Sequence, residues 1–198
     1  MSNGTGSQEL DGLSQRAFEI ARKRQAAATE IEALFEDRYE SLFASHAPTL
    51  LRAAAWLAGT SLFRSLGLPT DDMEPGSPVL SDASNEQGLK MLKVFMVLLE
   101  KDGFGLKPDD YSLELTEVQL PRLGILQVQE QLQDAYNAIM QKHGFDYADG
   151  ARTGAIACAR LVRFHCLDRH DLEPQVAAST VSMGFVEGSK TAPARLKG

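Results

Sequence analysis

Residues 55–59 (AWLAG), 150–154 (GARTG) and 184–188 (GFVEG) each place two small residues one helical turn apart. Positions i and i+4 of a helix lie on the same face, so each pair predicts a flat strip with almost no side chain. Because glycine inside a helix costs about 1 kcal/mol relative to alanine, three such strips require an offsetting gain. We expect that gain to be the close approach of another helix backbone or of a ligand.

The length and composition of the chain fit one globular domain. At 198 residues the chain is long enough for one sizeable core and short for two. Hydrophobic residues make up 43% and charged residues 24%, which is ordinary for a globular protein. The net charge of −7 argues against binding to a phosphate backbone, which requires clustered lysine and arginine. We therefore expect no nucleic-acid partner.

The cysteines and the apolar segments together indicate a cytoplasmic protein. Cys158 and Cys166 are about 12 Å apart along a predicted helix, which is too far for a disulfide between them and favours a reducing compartment. Residues 1–8 contain no basic region leading into an apolar run, so no secretory signal is predicted. The most apolar stretch, residues 50–68, is interrupted by two arginines and therefore predicts no membrane span.

The periodicity of the apolar residues predicts an all-α fold. A disordered tail is expected over residues 1–9, and a single all-α domain over residues 10–198, built as one bundle of about six helices. The last two helices share a tight turn, which predicts a C-terminal antiparallel helical hairpin. The six predicted helices run from Leu10 to Ser45, from Pro48 to Gly67, from Ser81 to Gly103, from Pro121 to Gly144, from Asp146 to Leu167 and from Asp171 to Lys190.

Two further expectations concern the arrangement of these helices. The middle of the third helix, residues 91–99, is apolar nearly all round except for Lys93, which predicts that this helix lies at the centre of the bundle. The small-residue strips at 150–154 and 184–188 are expected to face each other within the hairpin. The proline-rich, acidic stretch 69–81 is predicted to be an exposed loop.

Arginines within apolar helices are the candidate ligand-binding residues. Arg160 and Arg163 lie on one face of the fifth helix, with Arg152 about 80° round the same helix. Arg52 and Arg64 interrupt the second helix, and Arg52 completes the candidate set. A guanidinium among helices requires a carboxylate from a neighbouring helix, a route to the surface or an anionic ligand. The sequence leaves open both the structural interpretation and an anion-binding pocket.

The densest group of reactive side chains comprises Cys158, His165, Cys166 and His170. Their spacing is poor for structural zinc, whose ligands usually come in pairs two to four residues apart on a turn, and adjacent helical residues diverge by about 100°. A nucleophilic pair of Cys166 and His170 is also disfavoured, because Cys166 lies at the C-terminal end of its predicted helix, where the helix dipole raises the pKa of a thiol. A structural role for this group is favoured, and a metal-dependent enzyme using the cluster at 158–170 is kept as the alternative function.

Signatures of enzyme classes are missing from the sequence: it contains no Glu-x-x-His, P-loop, dinucleotide fingerprint, HExxH or EF-hand loop. We therefore expect no cofactor. The favoured function is a non-catalytic module that binds another protein or a small acidic metabolite between helices, with Arg160 and Arg163 as the anion contacts. The long first helix and the small-residue strips suggest a homodimer.

Overall fold

A computed structural model describes residues 5–70 and 72–195, with side chains from residue 14 onward. Within these ranges the chain forms six α-helices and no strand beyond one isolated bridge. Two short 3-10 turns, Pro108–Ser112 and Glu117–Gln119, lie between the third and fourth helices. The prediction of an all-α bundle is confirmed. The helices are α1 (Thr5–Glu36), α2 (Ala47–Ser65), α3 (Asp82–Lys101), α4 (Ile125–Lys142), α5 (Tyr147–Arg163) and α6 (Pro174–Ser189).

Both ends of α1 differ from the sequence-based expectation. The helix begins at Thr5, inside the segment 1–9 for which a tail is expected, while residues 1–4 lie outside the described residues. It ends at Glu36 and does not continue to Ser45. The chain there enters a series of turns, and the positive φ of 52° at Ser45 is incompatible with a right-handed helix.

The starts of α4 and α6 also lie later than predicted. Helix α4 begins at Ile125 and not at Pro121, since residues 120–124 form an irregular connection. Helix α6 begins at Pro174, which occupies the first turn as predicted. Asp171 does not cap this helix, because its carboxylate contacts His165 instead.

The centre of the bundle is α2, so the prediction that the third helix occupies it is wrong. Seventeen of the nineteen residues of α2 are buried, from Ala47 to Phe63. Helix α3 buries only one stripe, which includes Met91, Phe95 and Leu99. The apolar residues of α3 therefore extend further round the helix than its buried stripe does. The small alanine and glycine residues of α2 allow other helices to approach it from more than one side.

The small-residue strips face α2 and do not face each other, which corrects the expectation for the hairpin. On α6, a Cβ built on Gly184 would lie 2.6 Å from the Cβ of Ala55. A Cβ on Gly188 would collide with the carbonyl oxygen of Trp56. On α5, a Cβ on Gly154 would lie 2.6 Å from the Cβ of Ala58. All three strips therefore serve helix packing within one chain.

The order of these contacts gives the directions of the helices. Gly150 contacts Ser61 and Gly154 contacts Ala58, so α5 runs antiparallel to α2. On α6, Gly184 contacts Ala55 and Gly188 follows at Gly59, so α6 runs parallel to α2. Helices α5 and α6 thus form the predicted antiparallel hairpin, and α2 packs along both of its arms.

A long exposed segment of α1 precedes its buried part. In residues 14–26, which we call the α1 arm, every residue is exposed except the half-buried Arg24. Phe18 is 71% exposed and Ile20 is 47% exposed, although both are apolar. Contact with the body begins at Arg24, whose Nη2 donates to the carboxylate of Asp149 at 2.6 Å, and burial begins at Ala27. Among the described residues, no helix combines the length and the apolarity needed to cross a membrane.

Candidate functional site

Arg52, one of the predicted ligand-binding residues, is buried and fully occupied by protein partners. Its Nε and Nη2 atoms donate to the two carboxylate oxygens of Glu187 at 2.9 and 2.8 Å, and Nη1 donates to the carbonyl oxygen of Thr180 at 3.1 Å. The indole of Trp56 donates to the same carboxylate at 2.6 Å. This bidentate pair joins α2 to α6, which favours the structural interpretation of Arg52.

The three predicted arginines of α5 do not converge with Arg52. Arg160 turns toward α1, where its Nη1 donates to the hydroxyl of Thr29 at 2.6 Å and lies 3.8 Å from a carboxylate oxygen of Glu32. Arg163 is largely exposed, with its nearest carboxylate oxygen at 3.9 Å. Arg152 is exposed as well. Arg160 and Arg163 both lie near the carboxylate of Glu32, whereas Arg52 pairs with Glu187 and Arg152 is exposed, so the four candidates do not form one anion site.

His165 is the member of the predicted reactive group with the most hydrogen-bond partners, and it is completely buried. Its Nδ1 lies 2.9 Å from a carboxylate oxygen of Asp171, and its Nε2 lies 2.9 Å from one of Glu36. The ring of His165 therefore joins carboxylates from two distant parts of the chain. The hydroxyl of Tyr39 donates to the second oxygen of Asp171 at 2.9 Å, and Arg169 stacks over the Tyr39 ring at 4.4 Å.

This network, centred on the buried ring of His165, connects the end of α1 to the turn between α5 and α6. Burial and the hydrogen bond to Asp171 raise the pKa of Tyr39 to about 12. Because no face of His165 reaches solvent, a substrate has no access to it. The network therefore acts as a structural clamp, and it explains why Asp171 does not cap α6.

The two thiols lie in unreactive surroundings. Burial is the main cause that raises the pKa of Cys166 to about 12, and burial also raises the pKa of Cys158 well above its usual value. A nucleophilic or metal-binding cysteine requires a thiolate, which these environments disfavour. The Nδ1 of His170 lies 3.2 Å from the carbonyl oxygen of Cys166. Within the described ranges, no three side chains of His, Cys, Asp or Glu are arranged to hold a metal ion.

A cleft that the sequence-based reasoning does not identify lies where the end of α2 meets two irregular segments. One segment is the loop 72–80, and the other is the tail segment, residues 190–195. They are joined by backbone hydrogen bonds from Gly76 N–H to Ala192 O and from Ala192 N–H to Ser77 O, both 2.8 Å. The cleft between them has a volume of about 420 Å³. We call it the Arg64 cleft.

Arg64, in the last turn of α2, is the principal charged group of this cleft. Its Nη2 donates to the carbonyl oxygen of Ala194 at 2.7 Å. Its Nε is buried and has no hydrogen-bond partner among the described residues. In the same part of the chain, no carboxylate lies within 4 Å of this guanidinium. Burial lowers the pKa of Arg64 from its ordinary value, because the charged form loses hydration.

The other side chains of the Arg64 cleft add a second cation and no described anion. Arg195 lines the cleft from the tail segment and is exposed. Thr70 supplies a hydroxyl, and Met73 and Pro75 supply apolar walls. A cleft lined by two guanidiniums and few other polar groups is suited to an anion.

The sequence alone does not identify Arg64 as a ligand-binding residue, and a comparison with Arg52 explains why. Both residues interrupt the same apolar helix, so they give the same signal in the sequence. They differ only in their distant partners: Arg52 meets Glu187, whereas Arg64 meets a backbone carbonyl 130 residues away. Comparison of the chain with protein-family models, with curated proteins and with solved structures found no match.

Proposed function

We propose that this protein is a non-catalytic module that binds a small acidic ligand in the Arg64 cleft. One observation carries the proposal: a partly buried guanidinium has a carbonyl oxygen as its one described protein partner and no described carboxylate near it. A charged group in such a position is stabilised by an anion. The proposal keeps the ligand class that the sequence suggests, and it moves the contacts from Arg160 and Arg163 to Arg64 and Arg195.

The size and chemistry of the cleft support a small carboxylate or phosphate compound. A volume of about 420 Å³ lies within the range of small-molecule sites. A guanidinium binds such oxyanions through two parallel N–H donors, and Arg195 brings a second guanidinium to the same cleft. The cleft has no His, Cys, Asp or Glu among its described lining residues to activate the Thr70 hydroxyl, which supports binding without catalysis.

Thermal unfolding in the presence of citrate, phosphate, sulfate or glutarate tests this proposal. At a concentration of about 100 times Kd, a ligand stabilises the fold by about 2.7 kcal/mol, so Tm should rise by about 5 °C or more. Arg64→Gln should remove the rise, and Arg195→Gln should reduce it without disturbing the packed body. Arg152→Gln is the matched control and should keep the full rise. No rise with any of these anions would contradict the proposal.

We also propose that the protein forms a homodimer through the α1 arm, because the arm is exposed and presents apolar side chains, Phe18 and Ile20, to solvent. It carries four basic residues and one acidic residue on a chain whose net charge is −7, and of the four only Arg24 pairs with a described carboxylate, that of Asp149 at 2.6 Å. The connection over residues 108–121 has the complementary character, with four acidic and no basic residues, and it exposes Leu113, Val118 and Leu120. Opposite charges beside exposed apolar residues favour contact between two copies.

Sedimentation equilibrium at micromolar concentrations tests the dimer. We expect a mass of two chains in dilute buffer and a shift toward one chain at 1 M salt, where charge attraction is screened. The variant with Phe18→Ser and Ile20→Ser should sediment as one chain, while the control Leu89→Ser, at a similarly exposed position of α3, should still dimerise. A mass of one chain at every concentration in dilute buffer would contradict the dimer.

A cytoplasmic location forms the last part of the proposal. Both cysteines are free and buried in the described structure. Proteins of reducing compartments keep such thiols unpaired. Fractionation of cells that express the full chain, with detection by antibody, is the direct measurement, and recovery in a membrane or extracellular fraction would contradict this part.

A further inference from the structure

A second cleft adjoins the Arg64 cleft on the other side of the tail segment. It lies between the tail segment and α4 and has a volume of about 370 Å³. The two clefts share three lining residues, Pro75, Ala194 and Arg195. Because Glu130 and Asp134 line this second cavity from α4, we call it the acidic cleft.

Gln133 gives the acidic cleft a polar group that lacks a donor. Its side chain is only 4% exposed, and its Nε2 donates to the side-chain oxygen of Asn137 at 2.9 Å. Its Oε1 is buried and accepts no hydrogen bond from any described residue. Buried carbonyl oxygens are nearly always paired in folded proteins. An unpaired acceptor in the wall of a cleft therefore points to a donor that comes from a ligand.

The carboxylates of the acidic cleft strengthen the requirement for a cationic donor. Glu130 and Asp134 are one turn apart on α4, so they lie on the same face and repel each other. Both are exposed, and no basic side chain of the described residues lies within 4 Å of either carboxylate. An ammonium group carries three N–H donors and one positive charge, which matches two carboxylates and one carbonyl oxygen.

Of the three shared lining residues, Ala194 is bonded to both sides of the boundary between the clefts. The N–H of Ala194 donates to the Oε1 of Gln129 at 2.7 Å, and its carbonyl oxygen accepts from Arg64 at 2.7 Å. Gln129 of the acidic cleft and Arg64 of the Arg64 cleft therefore bind the N–H and the carbonyl oxygen of the same residue. The shared lining residues place the two clefts next to each other along the tail segment.

We infer that the two clefts bind the two ends of one zwitterionic ligand, a small molecule that carries a carboxylate or phosphate and a primary ammonium. This inference rests on the proposed function, since the anionic end occupies the Arg64 cleft. The ammonium end donates to Gln133 and lies between Glu130 and Asp134. Arg195, which borders both clefts, adds its charge on the side of the anion.

Isothermal titration with ω-amino acids from 3-aminopropanoate to 6-aminohexanoate tests the inference. Each compound is compared with the unsubstituted carboxylate of the same chain length and with the diamine of that length. For the chain length that fits, we expect the amino acid to bind at least tenfold more tightly than the carboxylate. The doubly substituted variant, with Glu130→Gln and Asp134→Asn, should lose this advantage while its affinity for the plain carboxylate is unchanged.

Two further variants make the test decisive. Gln133→Leu should reduce the same advantage, whereas Glu114→Gln, at an exposed acid of the 108–121 connection, should leave it intact. Equal affinities for amino acids and carboxylates would overturn the inference, while a carboxylate affinity that Arg64→Gln abolishes would still support the proposed function. Diamine binding without any carboxylate binding would overturn both.

Discussion

The backbones of α2 and α6 touch at Gly59 and Gly188. A Cβ built on Gly59 would lie 2.9 Å from the Cα of Gly188 and 2.8 Å from the carbonyl oxygen of Phe185. Both distances are shorter than real Cβ contacts, and the atoms met belong to backbone that cannot rotate away. The absence of a side chain at these two positions therefore sets the separation of the two helices.

Replacing Gly59 by alanine should destabilise the protein by about 1–3 kcal/mol, because the added methyl group forces the helices apart. The matched control is Gly88→Ala in α3, where the nearest atom to the new Cβ is the hydroxyl of Ser189 at 3.9 Å. That change should stabilise the protein by about 0.5–1 kcal/mol through helix propensity. Urea unfolding measures both, and a Gly59→Ala variant as stable as wild type would contradict the close contact.

Replacing His165 by leucine should cost about 1–3 kcal/mol, because the carboxylates of Glu36 and Asp171 lose their shared donor. The partial exposure of both carboxylates keeps the loss below that of a fully buried ion pair. His170→Asn is the control: the position has a φ of 55°, which asparagine tolerates, and the change should stay within about 0.5 kcal/mol. Equal stability of the two variants in urea would argue against the clamp.

Stability should fall at alkaline pH because the pKa of Tyr39 is raised from 10.0 to about 12 in the folded state. The folded state favours the protonated phenol, so this contribution is complete below pH 10 and is lost as the pH rises toward 12. Cys166 acts in the same direction between pH 9 and about 12. Free energies of unfolding at pH 8 to 11.5 should show a shallower decline for Tyr39→Phe than for wild type. Parallel curves would contradict this contribution.

Cys158 and Cys166 should resist alkylation in the native protein, because burial raises the pKa of both thiols. At pH 8, iodoacetamide should label both in urea within minutes and neither in native buffer on the same timescale. Mass spectrometry counts the added groups. Rapid labelling of Cys166 without urea would show an accessible thiolate and revive the nucleophilic interpretation.

Purified protein should contain zinc, iron and nickel at far below one atom per chain. His165 has both ring nitrogens engaged by carboxylates, and neither thiol favours the thiolate that a metal requires. Elemental analysis measures the content, and unfolding with and without EDTA should give the same Tm. A stoichiometric metal whose removal lowers Tm would favour the alternative of a metal-dependent enzyme.

Local chemistry in the sequence determined the starts of α3 and α5 and the first turn of α6. Ser81 caps α3 by accepting the N–H of Ser84 at 3.4 Å, and Asp146 caps α5 by accepting that of Asp149 at 2.8 Å. Pro174 lies in the first turn of α6, as the sequence predicts. These interactions span three residues or fewer, so the residues near each helix start are enough to predict them. The spacing of the small-residue strips likewise predicts close packing of helices.

Tertiary structure alone decided which partner each of these features meets. The strips of α5 and α6 face α2, and Asp171 binds His165 instead of capping a helix, because the packed arrangement brings distant groups together. Arg52 and Arg64 are equivalent in sequence, yet only Arg52 meets a described carboxylate. The physical reason is range: helix periodicity and capping depend on neighbours within one or two turns, whereas burial, ion pairing and clefts depend on contacts across more than a hundred residues.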